Sequence, residues 1–190
     1  MIRKDYVRLQ QGRSMVEMLG VLAIIGVLSV GGIAGYSMAM SKFKITKTLD
    51  QVQLMITNIR TYYASQRTYT PLTAKAAYEM GILTDESYQS SEGLNPYGGK
   101  IVFGTVGKRE FTIEYTGLTA EACLKLATSD WGADASSGLV SISVSAAGKV
   151  PTVYSWTGIH KLPPELTSAA TACAGENTGD NTGAVKWTFR

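Results

Sequence analysis

The chain has 190 residues, which suits one globular domain plus one extended element and excludes two full domains. Its composition and near-zero mean hydropathy are ordinary for a folded protein. The net charge of +3 is local: Arg3, Lys4, Arg8 and Arg13 against Asp5 account for it, and residues 36–190 are almost neutral, so no basic face argues for nucleic-acid binding.

From Met18 to Met40 no residue carries a charge, a run long enough to cross a bilayer as a helix. Basic residues precede it, so the N-terminus is expected in the cytoplasm and everything after Met40 outside it. Three readings compete at this point. One is a cleaved secretory signal with a small-residue site near Ser37-Met38-Ala39. Another is a plain membrane anchor, and the third is a signal that uses Glu17. This carboxylate stands at the edge of the apolar run, where burial in lipid costs about 2–3 kcal/mol. It therefore points to a specific partner, for which a secretory signal or a plain anchor has no use.

The stretch Gly12-Arg13-Ser14-Met15-Val16-Glu17-Met18-Leu19 resembles the type IV prepilin signature: a glycine, a glutamate five residues later, then an unbroken apolar helix. The short leader Met1 to Gly12 fits as well. The resemblance implies cleavage between Gly12 and Arg13 by a prepilin peptidase and N-methylation of the new terminus at Arg13. It also implies that Glu17 neutralises the terminal amine of a neighbouring subunit during assembly. An amine and a carboxylate from adjacent subunits offset each other in an apolar setting, and their pairing sets the axial register. Arg13 departs from the family, in which this position is usually apolar. Gly31 and Gly35 form a GxxxG spacing that lets helices approach closely; the bland reading is that glycine is common in membrane helices.

After Met40 the pattern stays helical and turns amphipathic. Ile45, Leu49, Val52, Ile56, Ile59 and Tyr63 recur at steps of three and four, an apolar stripe on one face. No proline interrupts before Pro71, so one helix is expected over residues 13–65, with 13–40 in the membrane or assembly and 41–65 packed on a domain. At 1.5 Å per residue it measures roughly 75 Å.

Residues 66–190 read as the globular part. A short helix is expected over Ala74–Met80, and Asn95-Pro96-Tyr97-Gly98-Gly99 is a strong turn signal. Period-two alternation marks Phe111–Tyr115, Val140–Ser145 and Val185–Phe189 as strands, with Ile101–Val106 and Val150–Trp156 as further candidates. Such alternation suits an antiparallel sheet with one covered face, and the stripe on the long helix is the available cover. Thr119 caps a helix in which Leu124 and Ala127 share the buried face. Pro163-Pro164-Glu165 opens another, running toward Cys173. Cys123 and Cys173 lie fifty apart in an exported segment, with no CxxC and one histidine in the chain; they read as a structural disulfide.

The expected fold is α+β: a long N-terminal helix on an antiparallel sheet, with a C-terminal disulfide-bounded region. It resembles that of the type IVb major pilins, the group that includes toxin-coregulated pilin and the thin-pilus PilS proteins. The resemblance rests on Gly117–Cys123, the turn at 95–99 and Trp187-Thr188-Phe189.

No catalytic constellation, phosphate loop or zinc spacing is found, so neither an enzyme nor a cofactor is expected. His160 reads as a surface loop residue. Glu176 and Asp180 sit in a polar loop that reads as a surface loop rather than a calcium site. The leading function is a pilus subunit that polymerises into a helical fibre. Its implied partners are other copies of itself, the peptidase, the inner-membrane assembly machinery, and the membrane before assembly. A pseudopilin or minor pilin of a type II secretion apparatus and an unrelated exported binding domain are the alternatives.

Overall fold

The computed structural model describes residues 8–132, 134–175 and 182–190, with side chains from residue 15 onward and not at residue 135. Most of the leader and the loop carrying Glu176 and Asp180 lie outside the described residues. Cα packing divides the chain into two units, Met1–Phe43 and Lys44–Arg190. Helix α1 (Arg8–Tyr63) contributes to both.

In the first unit α1 is continuous, and every described side chain from Met15 to Met40 is exposed. Ser29 and Ser37 donate their hydroxyls back to the carbonyls of Ile25 (2.7 Å) and Ile33 (3.0 Å). That self-satisfaction suits polar groups in a stretch meant for an apolar medium.

In the second unit the rest of α1 lies against a sheet. Ile45, Val52, Ile56 and Ile59 of the stripe are buried, joined by Thr48 and Met55, while Leu49 and Tyr63 are half-buried. Each fully buried Val or Ile contributes about 1.5–3 kcal/mol. Eight strands form the sheet: β1 (Tyr88–Gln89), β2 (Glu92–Leu94), β3 (Lys100–Val106), β4 (Glu110–Leu118), β5 (Leu139–Ser145), β6 (Thr152–Ser155), β7 (His160–Lys161) and β8 (Gly183–Phe189). Their order is β1-β2-β3-β4-β8-β5-β6-β7, so the last strand is inserted at the centre. There it pairs Trp187 with Ile113 on one side and Ile142 on the other.

The face bearing Phe111, Ile113, Tyr115, Val185 and Trp187 is buried. Tyr115 donates from this face to Gln51 Oε1 of α1 at 2.9 Å, and Gln51 in turn donates to Ser87 at 2.7 Å. Burial pushes the Tyr115 phenol well above its ordinary pKa. The opposite face is polar and carries the Lys186–Glu114 ion pair at 2.7 Å.

Short helices complete the domain: α2 (Ala74–Glu79), α3 (Ala120–Thr128) and α4 (Leu166–Cys173), with a single 3-10 turn at Ala135–Ser137. Thr73 and Thr119 each cap a first turn, accepting from Ala76 N and Ala122 N at 3.1 Å. Helix α3 buries Ala122, Cys123, Leu126 and Ala127, whereas Leu124 is half-exposed.

Four details depart from the sequence expectation. The sheet is antiparallel except for β6 and β7, which pair in parallel and place His160 on an edge strand. The connection at 71–99 holds two short strands besides its helix, since Ser90 and Ser91, both at positive φ, turn the chain back on itself. In β5 a register shift between Leu139 and Ser141 makes Val140 an extra residue, so Leu139 and not Val140 enters the core. Strand β6 begins at Thr152, leaving Val150 exposed.

Candidate assembly site

The long helix carries the residues singled out for assembly. Gly12 and Arg13 fall within α1, but their side chains are outside the described residues. Glu17 is exposed, and it makes no ion pair or hydrogen bond among the described residues. Around it stand Met15, Val16, Met18, Leu19, Val21 and Leu22, all at least half exposed. Among the described residues α1 is the one helix long and apolar enough to cross a membrane.

The glycines of this helix have no use within the chain. A Cβ added at Gly20, Gly26, Gly31, Gly32 or Gly35 would meet nothing within 4 Å. Glycine costs an exposed helix about 1 kcal/mol relative to alanine, so packing inside this chain does not account for the choice. The whole surface is that of a helix whose contacts are made with something else: lipid, other helices, or both.

The second unit is cross-linked at its C-terminal end. Cys123 of α3 and Cys173 of α4 form a disulfide, both sulfurs lying in buried residues. Gly183 starts the central strand against this bridge; a Cβ there would lie 2.9 Å from Cys123 Cβ. The bridge therefore ties two helices to each other, and α3 lies directly against the start of the strand that joins the sheet halves. Asn95 does a similar service at the other end. It is buried, donates to Thr116 O at 2.8 Å, and accepts from Tyr97 N at 2.9 Å and Gly99 N at 3.1 Å. Sequence reasoning saw a turn at 95–99; that Asn95 would cross to β4 needed the sheet register, in which Lys100 begins the strand beside it.

Among the described residues no group of three or more His, Cys, Asp and Glu is arranged to hold a metal ion. The ring of His160 lies 5.5 Å from that of Tyr154. The sequence did not point to the cleft between the end of α1 and the β3–β4 turn, because its residues come from three distant stretches.

A family model described as Bundlin matches residues 38–190. Among solved structures, the chain is similar to the crystal structure of TcpA, a type IV pilin from Vibrio cholerae El Tor biotype. The TM-score is 0.51 at 14% identity, covering 77% of this chain and 99% of that one. At that identity the likeness speaks to the fold. No curated protein gives a significant match. The helix-on-sheet domain with its bridged C-terminal region, the exposed apolar helix before it, and the family match over most of the chain agree: the chain belongs to the bundlin family and is a type IV pilin, a subunit of a pilus.

Proposed function

We propose that this chain is a prepilin cut between Gly12 and Arg13, N-methylated at Arg13, and polymerised into a pilus of the IVb class with Glu17 pairing the terminal amine of a neighbouring copy. The observation that carries this reading is the exposed, unbroken apolar surface of α1 with one carboxylate at its edge. A lone carboxylate in an apolar medium is costly, and an amine from an adjacent subunit removes that cost. Because pairing requires a fixed stagger between copies, it also selects one helical register for the fibre. The glycines support the same reading, since their bare faces allow helices to approach closely.

Before assembly the precursor is held in the inner membrane by residues 13–40. The basic leader stays cytoplasmic and residues 66–190 are periplasmic, as the charge asymmetry dictates. Peptidase and assembly machinery are the partners at this stage. After assembly the domain lies on the outside of an extracellular fibre. Its role is structural: the fold offers packing surfaces, and no enzymatic chemistry is part of the reading.

The test is the N-terminal mass of the mature protein, made with and without a co-expressed prepilin peptidase. A peptidase-dependent product starting at Arg13, with or without one methyl group, is expected. A product starting near Met40, or an uncut chain insensitive to the peptidase, overturns the reading. Glu17→Ala separates processing from assembly: the variant is expected to be cut normally yet be absent from sheared fibres.

A further inference from the structure

The end of α1 and the turn between β3 and β4 enclose a half-open cleft of about 630 Å³, lined by Tyr63, Gln66, Arg67, Tyr69, Lys108 and Arg109 among others, with Arg190 at its rim. No aspartate or glutamate lines it. A column of ring contacts runs from its lining into the core: Tyr63 lies 5.4 Å from Tyr69, Tyr69 4.8 Å from Phe111, and Phe111 5.8 Å from Phe189. This column ties the end of α1, the chain after it and the two central strands into one support. Gly107, at φ +62°, lets the chain turn so that Lys108 and Arg109 stand at the hairpin tip beside that support.

The charges here are unlike those elsewhere in the domain. Of the thirteen lysines and arginines between Lys44 and Arg190, nine are engaged with a described residue. Five form ion pairs, three donate to backbone carbonyls, and Lys44 lies over the Tyr97 ring. Arg190 is among the paired ones, 3.5 Å from Glu110. The four without such a partner among the described residues are Arg67, Lys108, Arg109 and Lys125, and three of these four line one cleft. Opposing them are the carbonyl end of α1, worth roughly half a unit charge, and the Glu110 carboxylate that pairs with Arg190 at the rim. Three cations gathered around one concave site raise the positive potential where a small anion would enter.

From this geometry we infer that the cleft binds an acidic oligosaccharide, holding a uronate. Arg67, Lys108 and Arg109 meet the anionic group through charge-assisted hydrogen bonds, and the exposed amide of Gln66 meets the sugar hydroxyls. A long polyanion fits less well. The domain as a whole is nearly neutral, with no continuous basic track for a long chain of phosphates to follow. The inference stands apart from the assembly reading, since none of these residues belongs to α1 before Tyr63 or to the disulfide.

Calorimetry of the full chain in detergent micelles tests it, with tri-galacturonate as the ligand and maltotriose, inorganic sulfate and an oligothymidylate of equal charge as comparisons. Tri-galacturonate is expected to bind while maltotriose and sulfate do not. The Lys108→Gln/Arg109→Gln double variant is expected to weaken binding about tenfold or more, and Lys125→Gln to change it less than about twofold. These side chains are exposed, so an unchanged melting temperature verifies that the variants fold. Absence of tri-galacturonate binding, or binding indifferent to the double variant, overturns the inference. Equal binding of sulfate, meaning an adventitious ion only, does so too, and so does tighter binding of the oligothymidylate.

Discussion

Replacing Asn95 with alanine removes four side-chain hydrogen bonds from the turn: two donated, to Thr116 O at 2.8 Å and, weakly, to Lys100 O at 3.5 Å, and two accepted, from Tyr97 N and Gly99 N. Alanine offers no substitute, and Thr116 O, Tyr97 N and Gly99 N lose their partner where little water reaches. At about 1 kcal/mol for each such bond, the loss amounts to about 2–3 kcal/mol. For a domain of this size that corresponds to a fall in melting temperature of roughly 4–12 °C. Crowding adds to the argument, because a Cβ at Gly99 would lie 1.7 Å from Thr116 O, so the turn has no room to shift and re-pair. The assay is thermal and denaturant unfolding of the oxidised full chain in micelles, followed by tryptophan fluorescence. Asn58→Ala, on α1 with a half-exposed side chain, serves as the control and is expected within about 0.5 kcal/mol of the parent. A loss below about 0.5 kcal/mol for Asn95→Ala would refute the view that this side chain pins the turn to β4.

Two further outcomes are expected. Cys123→Ser/Cys173→Ser opens a loop set by a separation of 50 residues, which in the chain-entropy account lowers unfolding free energy by about 4 kcal/mol; a denaturant midpoint unmoved from the oxidised parent contradicts this. Tyr97 has its pKa raised to about 12, first by burial and then by the Glu121 carboxylate. The neutral phenol is thus favoured in the fold, so its stabilisation is complete below about pH 10 and is lost as the pH climbs toward 12. Its hydroxyl is buried with no hydrogen-bond partner among the described residues. Tyr97→Phe is therefore expected to be tolerated at pH 7 and to flatten the alkaline loss of stability, and an unchanged alkaline profile argues against the assignment.

Much of this pilin is legible in the chain because its elements report themselves locally. The apolar stripe from Ile45 to Tyr63 lies at helical spacing, and Phe111, Ile113 and Tyr115 alternate, because side chains on a helix or strand repeat with the geometry of their own backbone. Thr119 announces a helix start for the same local reason. The features that escaped depend on neighbours. Val140 looks inward by alternation, but its partner strand β8 takes up one residue fewer and turns Leu139 inward instead. The two-residue strands β1 and β7 are too short to show a period and exist because an edge was there to accept them.

The sequence by itself determined the apolar helix with Glu17 at its edge, the amphipathic continuation and most of the strands, since each follows from spacing within one segment. The tertiary structure alone decided that the last strand enters between β4 and β5, that Asn95 reaches across to Thr116, and that Arg67 shares a cleft with Lys108 and Arg109 beside Tyr63 and Tyr69. These depend on contacts between residues far apart in the chain, chosen by which apolar faces bury one another, and a single segment carries no record of that choice.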